Sequence, residues 1–274
     1  MTTIAIAGAG RLATQLATAI ATHSTGTATI IQVWSRSKSH ATELAGRLAR
    51  YSHVDAAWGT PESITTEADA YIIAVADDGI AAMAQALHRG REHALIAHTS
   101  GTTPLAAITA TGHERAAVLY PLQTFSREHT TDFARLHIFI EAAREADHEL
   151  LATLAATLTP RTNIHTSTSA QRRQLHIAAV FASNFVCHCC TIADSLLADA
   201  GLDFSVLQPL VEEQVAKLRT MPPAEAQTGP AARGDSHVMG THMAMLATQP
   251  RLQQLYRMLS ESIQATGRER ATRH

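Results

Sequence analysis

A two-part architecture is predicted for this 274-residue chain. An α/β domain on a doubly wound, mostly parallel sheet is followed by an all-α domain. Three observations predict it. Short apolar runs alternate with helical stretches through the first half, the pattern of strands buried on both faces. A glycine-punctuated turn joins the first run to the first helix. Past residue 170 the strand pattern stops, and residues 171–200 contain no Gly or Pro.

The elements follow in order. A strand over residues 3–7 runs into Gly8-Ala9-Gly10-Arg11-Leu12-Ala13 and a helix over 12–22. Gly-x-Gly-x-x-Ala between a strand and a helix reads as the pyrophosphate turn of a Rossmann-like domain. Gly8 allows the tight turn, Gly10 lets phosphate approach the backbone, and Ala13 lets helix and strand pack closely. The free N–H groups and positive dipole end of the helix then face the phosphate. Further strands are expected over 29–35, 70–74, 94–98, 116–120 and 137–141, with helices over 40–51 and 80–89. A helix over 147–158 is ended by Pro160, and a last strand covers 162–165. The long helix over 171–200 stops at Gly201. Helices over 205–219, 235–247 and 250–266 complete the chain, the last with Pro250 in its first turn. Residues 221–234, rich in Pro, Gly and Ala, are expected to form an ordered loop. The domains are therefore 1–165, dinucleotide-binding, and 166–274, helical, serving substrate binding and dimerisation.

Bulk properties exclude several function classes. A net charge of −2 leaves no basic face for nucleic acid and no polybasic membrane anchor. Residues 1–10 are a strand plus a turn rather than a leader, and no run of 18 uncharged apolar residues offers a membrane span. The three cysteines, Cys187, Cys189 and Cys190, crowd into one helix and do not form a disulfide framework. A soluble, cytoplasmic protein is expected.

The turn after the second strand, Ser35-Arg36-Ser37-Lys38, carries no acid to hold a ribose 2′-OH. Its two cations and two hydroxyls suit a 2′-phosphate, hence NADP(H) rather than NAD. A solvated surface turn is the plainer alternative. The next turn, Val75-Ala76-Asp77, is expected along the nicotinamide half, with Asp77 and Asp78 mainly capping the helix that starts at Gly79. Two polar clusters sit past strand ends, where open sheets bind ligands. One is His98-Thr99-Ser100-Gly101-Thr102. The other is Tyr120-Pro121-Leu122-Gln123-Thr124-Phe125-Ser126. Either can line a substrate site or serve its own turn. On the long helix, His176 and Ser183 are seven apart and share a face, with Asn184 one step round. His176 is a candidate proton donor, and Ser100 and Asn184 candidates to hold the reacting group. Hydrogen bonding to neighbouring helices or to a subunit partner is their alternative. Arg233, in Thr228-Gly229-Pro230-Ala231-Ala232-Arg233-Gly234-Asp235, can clamp a carboxylate between two turn-making glycines, while Asp235 suits an N-cap. No metal is expected, because Cys187-His188-Cys189-Cys190 would splay around a helix rather than converge.

Taken together these motifs resemble a family of two-domain proteins with a Rossmann-like N-terminal domain and a helical C-terminal domain of unknown function. The matching stretches are Gly8–Ala13, His98-Thr99-Ser100-Gly101, the segment from Tyr120 to Ser126, residues 176–185, and residues 228–235. The family is described as NADP-dependent oxidoreductases and is distantly similar to pyrroline-5-carboxylate reductase, ketopantoate reductase and the 3-hydroxyacid dehydrogenases. The resemblance implies a nucleotide domain of six to eight strands and a helical domain that helps form a dimer. Two departures stand out. The hydroxyacid dehydrogenases carry a catalytic Lys four residues before an Asn. Here Val180 precedes Asn184 by four, and no Lys lies between Lys38 and Lys217. A lysine mechanism is thereby excluded, with His176 the nearest replacement. The segment at Tyr120 usually begins with His in the family.

The resulting expectation is an NADPH-dependent reductase of a small carbonyl or imine compound, acting as a homodimer. The rival readings are an NADP(H)-binding sensor or partner-binding protein without turnover, and a relic nucleotide domain that binds nothing.

Overall fold

The computed structural model describes residues 1–126 and 129–272. Eight strands form one sheet: β1 (Thr2–Ala7), β2 (Ala28–Ser35), β3 (Asp55–Trp58), β4 (Ala70–Ile73), β5 (Leu95–His98), β6 (Ala116–Pro121), β7 (Ile138–Ala142) and β8 (Ile164–Thr166). Their order is β3-β2-β1-β4-β5-β6-β7-β8, and every neighbouring pair is parallel except β6 with β7. The order reverses direction between β1 and β4, so a crevice opens past their carboxyl ends. β3, which the sequence pattern does not signal, is a four-residue edge strand paired with β2.

Alternation along β1 divides the core into two layers. Ile4 and Ile6 face one side with Leu16 and Ile20 of α1 (Arg11–His23), Leu44 of α2 (Lys38–Leu48) and Leu151 of α5 (Glu145–Ala156). Ala5 and Ala7 face the other with Tyr71, Ile73, and Ile80 and Leu87 of α3 (Ile80–His88). Ile108, from the short α4 (Ala106–Thr109), joins the second layer. The small β1 residues Ala5 and Ala7 accommodate the bulky Tyr71 on the neighbouring strand.

The long helix runs from Ser169 to Ala198. It begins two residues earlier than its composition indicates because Thr168 and Gln171 form a capping box. It is α-helical over α6 (Ser169–Ala179), π-helical over Val180–Phe185, and α-helical again over α7 (Val186–Ala198). Contrary to the reading of no spanning segment, this helix is long and apolar enough to cross a membrane, with a mean hydropathy of 1.6 in its most apolar window. Its His, Ser, Asn and Cys residues interrupt the apolar run, so no continuous apolar stretch marks it in the sequence.

Two compact units emerge, Met1–His188 and Cys189–His274. The division falls within α7. The second unit holds α8 (Gln208–Lys217), α9 (Pro223–Ala226), α10 (Pro230–Arg233), α11 (Ser236–Met245) and α12 (Pro250–Ala271). The expected loop over 221–234 thus contains two single-turn helices, α9 and α10, each opened by proline. Asp235 caps α11 through the Val238 N–H, as its position suggests, and His242 Nδ1 meets the Tyr256 hydroxyl at 2.8 Å.

Candidate active site

The turn after β1 is built around Gly8. Its φ is 135°, a conformation that L side chains rarely adopt, and an added Cβ would lie 2.3 Å from the Ala74 carbonyl oxygen. Two backbone bonds lock the crossing: Gly8 N–H to Trp34 O, and Ala74 N–H to Ala7 O, each 2.8 Å. At Gly10 the situation is reversed: a Cβ would meet nothing within 4 Å. Gly10 is the N-cap of α1, without a side-chain cap and with no acid in the first turn. The first turn of α1 thus adds no carboxylate of its own beside the Arg11, Leu12 and Ala13 amides, while the Ala13 side chain is buried in the core.

These residues open onto a groove of about 600 Å³. Gly8, Ala9 and Gly10 line it together with Ser35, Arg36 and His40 and with Val75 and Ala76. Arg36 is exposed, Ser37 bonds to Ser39 at 2.8 Å, and Lys38 lies 4.7 Å from the centre of the Trp58 ring. The lysine is thus engaged in a cation–π contact. His40, which sequence reasoning passed over, lines this groove and also a smaller cavity with Arg11 and Arg47. Its position two residues into α2 brings it back over the turn; composition alone carries no such signal.

The loop after β4 corrects one expectation. Asp77 does not cap α3; neither Ala76 nor Gly79 has a side-chain cap bond. Instead the Asp77 carboxylate accepts a short hydrogen bond from Thr102 Oγ1. The short 3-10 turn Asp77–Gly79 intervenes before α3 and turns the carboxylate toward the β5 loop. The two loops that follow β4 and β5 are thereby joined.

The β5 loop is mostly self-supporting. His98 is fully buried, its Nδ1 accepts the Ser100 N–H at 3.2 Å, and Nε2 approaches the Pro104 carbonyl without normal hydrogen-bond geometry. Burial, reinforced by the nearby Arg172 charge, pushes the His98 pKa down to about 4. A neutral, enclosed imidazole supports backbone rather than meeting ligand. Thr99 is also buried, against the Ile73 carbonyl. Ser100 Oγ accepts from the Thr102 and Thr103 amides at 3.1 and 2.9 Å, so its hydroxyl closes its own turn. These three side chains do not face an open site.

Two residues organise the region: one the sequence does not signal, and one it marks only as part of a turn. Arg172, on the first turn of α6, is fully buried and paired with Glu141 of β7. Its Nε donates to Ser100 O at 3.1 Å and its Nη2 to Thr103 O at 2.6 Å, bracketing the loop. Ser169 Oγ donates to the same carboxylate at 2.7 Å. A buried arginine is retained only when charge and donors are satisfied; in the sequence, Arg172 is one of two adjacent arginines and gives no sign of it. The second is Gly101. A Cβ there would lie 2.5 Å from His176 Nδ1 and 2.9 Å from Tyr120 Cζ.

Directly above Gly101, the Tyr120 hydroxyl and His176 Nδ1 are 3.1 Å apart. Tyr120 is buried at the end of β6, and burial pushes its phenol pKa up. His176 is half-buried. Ser183 Oγ meets Thr124 Oγ1 at 3.0 Å, so His176 and Ser183 both reach β6 and its following loop. Gln123 is exposed and bonds the Thr124 amide at 2.8 Å. Asn184 is exposed within the π segment, a local widening of a kind that recurs at functional sites. A uniform α-helical spacing from His176 to Asn184 therefore does not hold. Arg233 ends α10 in the second unit, exposed, between Gly229 (φ 103°) and Gly234 (φ 70°). The cysteines occupy α7. Among the described residues the one grouping suited to a shared ion is Glu145, His148 and Glu149 on α5, where an exposed acidic helix start needs none.

Residues 3–101 match the family described as NADP oxidoreductase coenzyme F420-dependent, and residues 136–263 match a domain of unknown function, DUF2520. A solved Bacteroides fragilis protein described as an NADP oxidoreductase is 37% identical, over 96% of this chain and 98% of that one, with a TM-score of 0.85. The imine reductase of Streptomyces aurantiacus is 13% identical over 97% and 98% of the two chains, TM-score 0.65. Plasmodium falciparum pyrroline carboxylate reductase, solved with NADP bound, is 11% identical over 97% and 98%, TM-score 0.59. The last two share the fold. Among curated proteins none matches.

Proposed function

This chain belongs to the NADP oxidoreductase family of the Bacteroides fragilis protein, and from that premise we propose that it reduces a small carbonyl or imine compound, with His176 as proton donor. It is an NADP-dependent oxidoreductase, and NADP(H) is its cofactor. The groove fits that group. Gly10 leaves open space where a side chain would block a pyrophosphate, the first turn of α1 contains no acid, and Arg36 and His40 line the ribose end.

The observation that carries the reading is the Tyr120–His176 pair over Gly101. It stands past the carboxyl ends of β5 and β6. The Asp77–Thr102 bond ties this platform to the loop that lines the cofactor groove. Bound NADPH supplies the hydride. The chain's own task is to orient the acceptor and give a proton to the nitrogen or oxygen that takes up the electrons. Gly101 supplies a flat backbone floor, and His176 holds a transferable proton within a half-buried setting. Asn184 and Gln123 remain candidates to hold the substrate. Ser100 serves this site through its backbone.

The test is NADPH oxidation, followed by absorbance, against a panel of cyclic imines, aldehydes and ketones. His176→Ala is expected to lower turnover at least a hundredfold, within the range for general acid catalysis, and to leave NADPH affinity unchanged. Equal loss of both, or no loss, overturns the role. Tight NADPH binding with no compound turned over would favour a sensor.

A homodimer through the long helix completes the proposal. Ile177, Phe181, Phe185 and Val186 are exposed on it, and an apolar surface of that kind favours cover by another copy. The clustered cysteines support a reducing, cytoplasmic setting.

A further inference from the structure

We infer that Tyr120 is a positioning residue whose hydroxyl fixes His176 in the tautomer protonated at Nε2. The inference rests on the reading of His176 as the residue that meets the acceptor, and it specifies that the neutral ring presents Nε2–H there as a hydrogen-bond donor; a proton given from Nε2 comes from the protonated ring, with the phenol oxygen then accepting from Nδ1–H.

The hydrogen bond between Tyr120 Oη and His176 Nδ1, 3.1 Å long, can run in either direction. The surroundings decide it. Tyr120 is buried, and burial keeps its phenol protonated. Among the described residues its hydroxyl makes no other hydrogen bond. If Nδ1–H donated to it, the phenol proton would find no acceptor among the described residues, at a cost of up to about 1–3 kcal/mol at this part-buried position. When the phenol donates, both atoms are satisfied, and the imidazole proton must reside on Nε2.

Gly101 closes the alternative. Its Cα stands where any Cβ would come within 2.5 Å of Nδ1 and 2.9 Å of Tyr120 Cζ, so nothing else can approach Nδ1 from that side. Arg172 brackets the same loop by binding Ser100 O and Thr103 O. On the outer side the Tyr120 ring lies 6.4 Å, centroid to centroid, from Phe139, which in turn stacks on His165 at 4.8 Å. Tyr120 is thereby held from below and behind, and its hydroxyl cannot swing off Nδ1 without moving packed groups. The arrangement does for this histidine what an orienting carboxylate does in other sites: it selects a tautomer, but adds no negative charge.

The experiment is long-range proton–nitrogen correlation NMR on the full-length, nitrogen-15-labelled chain at alkaline pH, where imidazoles are neutral. His176→Gln identifies the His176 signals among the 16 histidines. The wild-type protein should show Nε2–H as the single tautomer. Tyr120→Phe, with NADPH binding retained as evidence of folding, should convert it to a mixture of the two. Gly101→Ala should do the same by pushing Nδ1 off the phenol. Nδ1–H in the wild type, or the same single tautomer in Tyr120→Phe, overturns the inference. The readout needs no substrate. Failure here with an intact His176→Ala effect on turnover removes Tyr120's role alone; a normal tautomer pattern with no His176→Ala effect removes the proton-donor reading instead.

Discussion

Replacing Arg172 with methionine keeps the aliphatic stem but deletes every donor of a fully buried guanidinium. Four interactions go: the pair with Glu141, the bonds to Ser100 O and Thr103 O, and the longer contact with Ser169 Oγ. Breaking a buried pair from one side costs about 3–5 kcal/mol, because the remaining charge is stranded. The Glu141 side chain is 17% exposed and keeps its Ser169 bonds, which places the expectation near the lower end, about 3 kcal/mol. For a chain of this size that corresponds to a fall in Tm of roughly 6–12 °C. Urea unfolding followed by tryptophan fluorescence is the suitable assay. Trp34 and Trp58 are the chain's two tryptophans and both report on the sheet domain. Arg172→Met with Glu141→Leu removes both charges and should recover about 2 kcal/mol relative to the single variant. A loss under about 1 kcal/mol in the single variant, or a double variant no more stable than it, would refute the buried clamp.

Other consequences are equally direct. The fold lowers the His98 pKa to about 4 from an ordinary value near 6.5, so it favours the neutral ring. That contribution, about 3 kcal/mol, is complete above the unfolded value and is lost as pH falls from about 6.5 to about 4. The urea midpoint should drop across that window in the wild type and flatten in His98→Gln; identical slopes would count against it. Arg36→Ala should weaken NADPH binding roughly 10–100-fold, as for loss of a charged hydrogen bond, and leave NADH binding nearly unchanged by calorimetry. Lys38→Ala should change NADPH affinity by less than about twofold, a negligible free energy, since the Lys38 amine sits over Trp58. Phe181→Glu should convert a dimer to monomer by light scattering; a monomeric wild type at micromolar concentration refutes the helix as an interface.

Local patterns carried the chain a long way. Strand–glycine–helix at residues 3–22, the acid-free turn at Ser35–Lys38 and the uninterrupted helix after residue 170 are all written in consecutive residues, where backbone preference and periodicity act. Asp235 as an N-cap and the two left-handed glycines of residues 228–235 were legible for the same reason. The candidate site was less so. Cofactor-turn glycines and the His176 region follow from spacing, yet His98, Thr99 and Ser100 look like ligand-facing groups until burial and their backbone partners are known.

What the sequence by itself determined is the order of elements and the dinucleotide turn, because both depend on neighbours a few positions apart. What only the tertiary structure decided is which polar groups are spent on the scaffold and which stay available. Arg172 meets Glu141 across 31 residues and Thr103 across 69, Tyr120 meets His176 across 56, and Asp77 meets Thr102 across 25. Hydrogen bonds and desolvation depend on separation in space, and the sheet order that brings β4, β5, β6 and β7 side by side sets those separations.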